Sequence, residues 1–539
     1  MNQDNRPQND LKTRWGLLFF YWLILLLAAL WLRPLIPVDE TRYLSVAWEM
    51  WRNGDFLVPH LNGETYAHKP PLLFWLMHLG WWFFGVNETW PRLISPLVSL
   101  ACLYLVQLLA RRLWPQQPQV AVAAPWLLFG SFVWLLFYTL VQFDMLLVLC
   151  TLLGMLGLVD AGRGRAGGWW LLALAMGLGL LAKGPVILLH LLPAGLLGPL
   201  WVRGYSGSWG GWYGRLFLCV FGGAVMVLAW AIPAGIQGGE AYRNAIFWGQ
   251  TANRVVNSFA HREPWWWYLP MLPVLLLPWF LWPRLWKVLG HLKAAKDDQG
   301  LRFLASWILS TLVLFSLVSG KQIKYLLPTL PALALVLAWL YAQSGPGIRR
   351  RMPDLAVLML LVSGVLLLGV PYIAYGDIAW WIPRLSPLWG GVLLGAGILA
   401  LWLPNDVLPQ GVPRIAAAAM LMVLCFQSAM MSAGGRAYDL RGISQQVRQY
   451  QDQGRQLAYI GKYHGQFNFL GRLQHPVKHL NGRTVLVWAR KHPNDLVIIN
   501  DVKERLPLVS TVYATDYRGH LKALKILQAK TYLKLMAGS

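Results

Sequence analysis

Val38-Asp39-Glu40-Thr41-Arg42-Tyr43 stands directly after the first membrane-length apolar run of the chain. The run begins after Lys12 and Arg14, so the two carboxylates fall at the membrane–water boundary on the face opposite the N-terminus. A spanning helix needs no acidic residues at its end in order to insert. The pair therefore signals chemistry on something that lies at the bilayer surface. The run is long and lacks a small-residue cleavage site, which makes it a retained helix and not a removed signal peptide.

The rest of the sequence supports this reading. The chain has 539 residues, 57% hydrophobic and only 13% charged, which excludes a soluble globular protein. Apolar stretches of near-spanning length recur up to about residue 432, predicting an all-α polytopic membrane protein. The 32 Trp and 20 Tyr suit aromatic belts at both interfaces. The formal charge of +24 combines a positive-inside bias with an affinity for anionic partners, and membrane lipid phosphates are the nearest of these. No nucleic-acid motif is present. Cys102, Cys150, Cys219 and Cys425 all lie in apolar runs without metal-like spacing and read as small buried hydrophobes.

Charge sets the expected topology. The apolar piece at 71–85 is short, roughly 21 Å of helix against a core of about 30 Å. Residues 40–88 are therefore laid along the outer surface as juxtamembrane helices, and the piece at 92–110 spans, bringing Arg111 and Arg112 inside. Spans at 120–140, 145–161, 169–182, 186–202, 216–233, 265–283, 303–319, 325–342, 355–373, 387–403 and 415–432 then keep the basic loops inside. The total is about thirteen helices with the C-terminus outside. Gly434-Gly435-Arg436 reads as a linker. It divides a transmembrane domain, 1–433, from a small soluble α/β domain, 434–539. In the latter, 457–460, 484–487 and 496–499 read as strands, and 443–451 and 521–536 as helices.

With this topology, polar residues from distant segments share one face. They are Asp39, Glu40 and Arg42; Tyr66, His68 and Lys69; Asp144; Lys183; Arg243, Arg254, His261 and Arg262; and Lys321, Lys324 and Tyr325. Singly, each has a plainer reading. The lysines could snorkel from the interface, and Asp39 or Asp144 could cap a helix. His78 and His190 read as packing histidines. The joint pattern carries more. Interfacial Lys and Arg can hold a lipid phosphate. An Asp can orient or deprotonate an acceptor hydroxyl, or pair with an amino group. A phosphate leaving group needs cations more than it needs an acid. The layout suits moving a group off a lipid phosphate. A transporter of lipid-linked sugars is the rival from another class, but it would place ionisable groups near the midplane, whereas these lie at span ends.

At these residues the chain resembles the bacterial aminoarabinose lipid A transferases, within the GT-C glycosyltransferases related to protein O-mannosyltransferases. The matching stretches are Asp39-Glu40-Thr41-Arg42-Tyr43, Gly54-Asp55-Phe56-Leu57-Val58-Pro59, Leu61-Asn62-Gly63 and Tyr66-Ala67-His68-Lys69-Pro70-Pro71-Leu72. Asp144-Met145, Lys183-Gly184-Pro185, Arg254 with Pro264-Trp265, Tyr268-Leu269-Pro270 and Lys321 to Pro328 follow in order. The resemblance covers roughly residues 15–345. It implies a GT-C fold in the bacterial inner membrane with its active site on the periplasmic side. The implied donor is a polyprenyl-phosphate sugar, and the implied acceptor is lipid A or another anionic envelope lipid, with inversion at the sugar. A protein or polysaccharide acceptor is the alternative. Asp39 and Asp144 are the implied catalytic acids. Lys69, Arg42, Tyr66, Arg254 and Tyr325 are the implied donor phosphate cradle, with Glu40, Lys183, Lys321, Lys324 and His68 as additional candidates. No cofactor follows from the residues. Two family positions associated with a divalent metal are held here by His68 and Gly249, departures from the family's Glu and His.

Overall fold

The computed structural model describes residues 6–249, 262–343, 354–373, 380–402, 411–502, 511–519 and 522–537. The protein is mostly helical. Its first helix, α1 (Arg6–Leu32), stops before Arg33-Pro34, where the fixed proline ring ends helical hydrogen bonding. The amphipathic α2 (Asp39–Asn53) follows and closes on left-handed Gly54, whose N–H reaches Met50 O and Trp51 O. A hairpin of β1 (His60–Leu61) and β2 (Glu64–Thr65) turns on Asn62-Gly63, both at positive φ. The Glu49 carboxylate accepts from Asn62 N (2.5 Å) and Gly63 N (2.6 Å), tying the turn to α2.

Next come α3 (Leu72–Phe84), α4 (Thr89–Leu113), α5 (Pro118–Phe129), α6 (Phe132–Phe137), α7 (Asp144–Gly162), α8 (Gly167–Lys183) and α9 (Val186–Leu196). Longer helices at Trp209–Gln237, Gln299–Leu317, Leu330–Gln343, Leu355–Gly369 and Val412–Gly434 complete the apolar bundle, with Pro387–Trp402. Among the described residues eight helical segments are long and apolar enough to cross a membrane, and five more are apolar but shorter. The chain is a multi-pass membrane protein.

Three stretches expected as single spans are broken. The 120–140 stretch is split at Gly130-Ser131, where a Cβ on Gly130 would lie 2.7 Å from Trp279 and 2.9 Å from Ala416. The 186–202 stretch pauses at Leu197 before a short turn, Gly198–Trp201. The 265–283 stretch falls into short helical pieces, Trp265–Trp267, Tyr268–Leu275 and Trp279–Leu281, with Pro278 at the break before the last. His78 Nε2 donates to Ala47 O at 2.9 Å amid the Trp51, Phe56 and Trp81 rings, and His190 is buried against Phe315, both as packing residues.

The C-terminal lobe is a five-stranded mixed sheet in the order β4-β3-β5-β7-β6, with β3 (Leu457–Ile460), β4 (Lys478–Leu480), β5 (Leu496–Val502), β6 (Tyr513–Asp516) and β7 (Lys522–Gln528). Alternate residues feed two cores. Leu457, Tyr459, Ile498 and Ile526 face one side, covered by Ile443 and Val447 of the helix Arg441–Asp452. Ala458, Val497, Ile499 and Leu527 face the other, covered by Trp488 and Tyr532. Two expectations are corrected. Thr484–Lys491 is a helix and not a strand, because it buries Val485, Trp488 and Ala489 at helical spacing. Lys522–Gln528 is a strand and not the start of a helix, because it pairs along its length with β5, Ile498 opposite Ile526. The helix begins only at Ala529.

Candidate active site

Asp39 opens α2, at the end of the bundle reached when α1 leaves it. Its side chain is 38% exposed, pairs with Arg42 one turn later, and lies 4.0 Å from Lys324 Nζ. The Arg42 guanidinium sits over the Tyr43 ring, 5.4 Å from its centroid. Burial opposes the Arg42 charge, but Tyr66, Tyr43 and Asp39 outweigh it and raise the pKa.

The second acid is placed by a helix hairpin. Asp144 begins α7, Lys183 ends α8, and the two helices run antiparallel in close contact. Their backbones approach through glycines: a Cβ on Gly168 would meet Ala161 N and Gly157 O at 2.5 Å. Lys183 Nζ lies 2.5 Å from Asp144 Oδ1 and over the Tyr325 ring at 5.3 Å. Asp144 is 5% exposed and within electrostatic range of Lys69 and Lys324 as well. Lys69 sits over Phe143 at 5.8 Å, and Phe143 packs edge-on against Tyr43 at 5.0 Å and Phe74 at 5.5 Å. Residues 39–43, 69, 143–144, 183 and 324–325 thus converge from five separate segments. Tyr66 is buried between His68 (5.3 Å) and Phe74 (6.4 Å), behind Arg42.

Glu40 and Lys321 are placed differently from the rest. Glu40 is 2% exposed and accepts from Arg33 Nη1 (2.5 Å), Arg33 Nη2 (3.1 Å), Ile36 N (2.7 Å) and Val141 N (2.8 Å). It joins the end of α1, the start of α2 and the loop that leads to Asp144. Lys321 is buried and donates to the backbone carbonyls of Glu263 (3.0 Å) and Val318 (2.7 Å). Arg254 and His261 lie outside the described residues. Among the described residues no three His, Cys, Asp or Glu side chains converge as metal ligands. His68 is turned to the Tyr66 ring and Gly249 has no ligating side chain. This donor set does not fit a metal.

Sequence reasoning missed three supporting residues. Arg33 is the buried partner of Glu40 and also donates to Thr139 O (2.9 Å). Arg92 donates to Ala29 O, Leu30 O (3.1 Å) and Arg33 O (2.7 Å), satisfying carbonyls that the end of α1 leaves open. An arginine flanking an apolar run was the available signal, but it reads equally as an interfacial charge. His464, on the loop after β3, had no signal because its neighbours come from another part of the chain. Burial, then Arg42 and Lys462, hold its pKa below the usual histidine range, with Asp39 opposing.

A model of the dolichyl-phosphate-mannose-protein mannosyltransferase family matches residues 68–230. The undecaprenyl phosphate-alpha-4-amino-4-deoxy-L-arabinose arabinosyl transferase 1 of Pseudomonas fluorescens Pf0-1 is 30% identical over 443 residues, 74% of each chain. The like-named protein of Pseudomonas paraeruginosa PA7 is 33% identical over 379 residues, 68% of this chain and 66% of that one. That of Pseudomonas aeruginosa PAO1 is 34% identical over 65% of each, so the match spans just under two thirds of these two relatives. Crystal structures of ArnT from Cupriavidus metallidurans, bound to undecaprenyl phosphate and apo, superpose with TM-scores of 0.73 and 0.74 at 21% identity. They cover 95% and 97% of this chain, and 97% and 99% of their own, so the two folds agree from end to end. The acid–cation constellation, the GT-C architecture and these relatives agree: the chain belongs to the family of undecaprenyl phosphate-aminoarabinose arabinosyl transferases.

Proposed function

We propose that the protein transfers 4-amino-4-deoxy-L-arabinose from undecaprenyl phosphate to a phosphate of lipid A, with inversion at the sugar. The observation that carries this reading is the convergence of Asp39 and Asp144 with Lys69, Lys183 and Lys324 at one end of the bundle. The donor leaves as undecaprenyl phosphate, an anion. Cations stabilise the charge that grows on its oxygen as the C1–O bond breaks, and no general acid is required. Lys69, Arg42, Tyr66, Arg254 and Tyr325 form the donor cradle in this scheme. The acceptor phosphate is already ionised and attacks C1 from the opposite face, so no strong base is needed. Asp39, the more exposed acid, orients the acceptor or binds the amino group of the sugar.

The structural frame is thirteen crossings in the bacterial inner membrane. The site, the 40–88 segment and the C-terminal lobe lie on the periplasmic side. Two domains divide near 433/434. The same-side placement is supported by contact: Asn62 Nδ2 donates to Val477 O, and Val477 N to Asn62 Oδ1, each at 2.8 Å. At the other end, Arg112 and Arg165 share Asp160 at 3.0 Å, as a cytoplasmic basic face should.

The test is reconstituted transfer from undecaprenyl phosphate-aminoarabinose to lipid A, read by mass spectrometry. The wild type should add the sugar, Asp39→Asn should lose most turnover, and Lys69→Ala should weaken donor binding by about 1–3 kcal/mol. Near-normal transfer by Asp39→Asn, or unchanged donor affinity in Lys69→Ala, would put the chemistry elsewhere.

A further inference from the structure

The face of α2 that begins with Asp39 and Arg42 continues, about one turn at a time, through Ser45, Trp48 and Arg52. The last three are bonded to the C-terminal lobe. Ser45 Oγ donates to Gly465 O (2.6 Å) and accepts from Phe469 N (3.0 Å). Trp48 Nε1 donates to Leu473 O (3.3 Å), and Arg52 Nη1 to Leu473 O (3.0 Å) and Gln474 O (2.8 Å). The loop after β3 is therefore laid along the helix with Gly465 fixed over Ser45. One turn further toward the site lies Arg42, and one more lies Asp39.

This placement brings the tip of the loop to the catalytic end of α2. Arg42, Lys462, Arg518 and Asp39 all lie within electrostatic range of the His464 ring. Three full cations thus face one carboxylate, and that carboxylate is already shared with Lys324. Lys462 and Arg518 are exposed, and the transfer scheme above uses neither them nor His464. Asp39 stands between two cationic groups. One, around Asp144, is Lys69, Lys183 and Lys324. The other is this cluster beneath the C-terminal lobe. A sugar that passes between two phosphates needs one cationic pocket for each.

We propose that Lys462, His464 and Arg518, beside Arg42 of the donor cradle, form the pocket for the phosphate monoester of the acceptor lipid, so that the C-terminal lobe completes the active site. The proposal rests on the transferase reading. A phosphate monoester carries between one and two negative charges near neutrality and accepts several charge-assisted hydrogen bonds. Lys and Arg supply the charge, and the imidazole supplies one directed N–H.

The test uses the full-length protein in zwitterionic nanodiscs and the double variant Lys462→Gln/Arg518→Asn. Both side chains are exposed, and Asn accepts the positive φ of 53° at position 518. Binding is measured without turnover, with three probes: lipid A, the same lipid with its phosphates removed, and undecaprenyl phosphate. The wild type should prefer phosphorylated lipid A, and the variant should lose that preference by roughly five- to tenfold. Undecaprenyl phosphate should bind both proteins alike, and in transfer assays KM for lipid A should rise while KM for the donor stays. An unchanged preference for phosphorylated lipid A overturns the proposal. So does a loss confined to undecaprenyl phosphate, which would assign the cluster to the donor. A wild type that binds phosphorylated lipid A selectively yet transfers no sugar would defeat the transferase reading and leave the pocket standing.

Discussion

Adjacent carboxylates in this chain have opposite circumstances. Asp39 is partly exposed and its partners, Arg42 and Lys324, sit on its open side. Glu40 is enclosed and accepts four hydrogen bonds, from Arg33, Ile36 and Val141. A buried ion pair contributes little net stability, but removing one partner leaves the other charged and unpaired, at about 3–5 kcal/mol. Glu40→Gln should therefore lower the unfolding midpoint strongly, by stranding Arg33, whereas Asp39→Asn should change it by no more than about 1 kcal/mol, as for an exposed pair. Unfolding curves of the purified variants check this. A Glu40→Gln protein of normal stability and no activity would move Glu40 into the chemistry. Asp144 combines the two cases, since it is buried with Lys183 at 2.5 Å. The burial of Asp144 gives it a structural share that the more exposed Asp39 lacks. Asp144→Asn is best read beside Asp144→Asn/Lys183→Met, which removes the stranded cation. The sequence alone placed Asp39 and Glu40 together directly after the first apolar run. It did not show which one faces inward, because that depends on Arg33 and Val141, and residue 141 is 101 positions from Glu40.

Among the elements, the α7–α8 hairpin controls the site through glycines. Gly157 and Gly168 let two backbones touch in a membrane, where small residues supply close van der Waals packing. Gly167, next in the chain to Gly168, has open space around its would-be Cβ. Gly168→Ala should push α8 from α7 and cost roughly 1–3 kcal/mol. Gly167→Ala should be neutral or slightly stabilising, because alanine is the better helix former. Thermal inactivation of the two variants in the same detergent separates them, and equal midpoints would mean that the hairpin does not depend on this contact. Hydropathy made the long helices legible, since length and apolar composition suffice for those. It failed where partners decide. Residues 522–528 form a strand because β5 is beside them, and 120–140 breaks at Gly130, where Trp279 and Ala416 leave no room for a Cβ. Leu61-Asn62-Gly63 was visible as a matching stretch, but neither its turn nor the anchor of that turn on Glu49 was.

At the scale of the whole molecule, the C-terminal lobe is seated on the juxtamembrane helices, and no sequence pattern announces that seat. It is made of contacts more than 350 residues apart: the Trp81–Phe469 ring stack at 5.6 Å, Arg441 with Glu88 at 2.6 Å, and the Ser45–Gly465 bond. Part of the surface of the lobe thus rests on α2 and α3. His464 makes this seat sensitive to pH. The ring faces Arg42 and Asp39 from α2, Lys462 from its own loop and Arg518 from beyond β6, and burial with the three cations holds its pKa down. Above the ordinary histidine value, near 6.5, the ring is neutral in folded and unfolded chains alike and pH has no effect through it. Below that value the unfolded chain takes up the proton first, so stability falls with pH until the depressed folded pKa is reached, and is level again beneath it. The wild type should thus lose thermal stability between pH 7.5 and pH 5.5 by more than His464→Gln does, in identical buffers that cancel the other histidines. Proteolytic nicking of the 434–440 junction should follow the same curve if the lobe lifts as the ring charges. Equal pH slopes in the two proteins, or a wild type that gains stability on acidification, would show that Asp39 governs the ring and that the three cations do not.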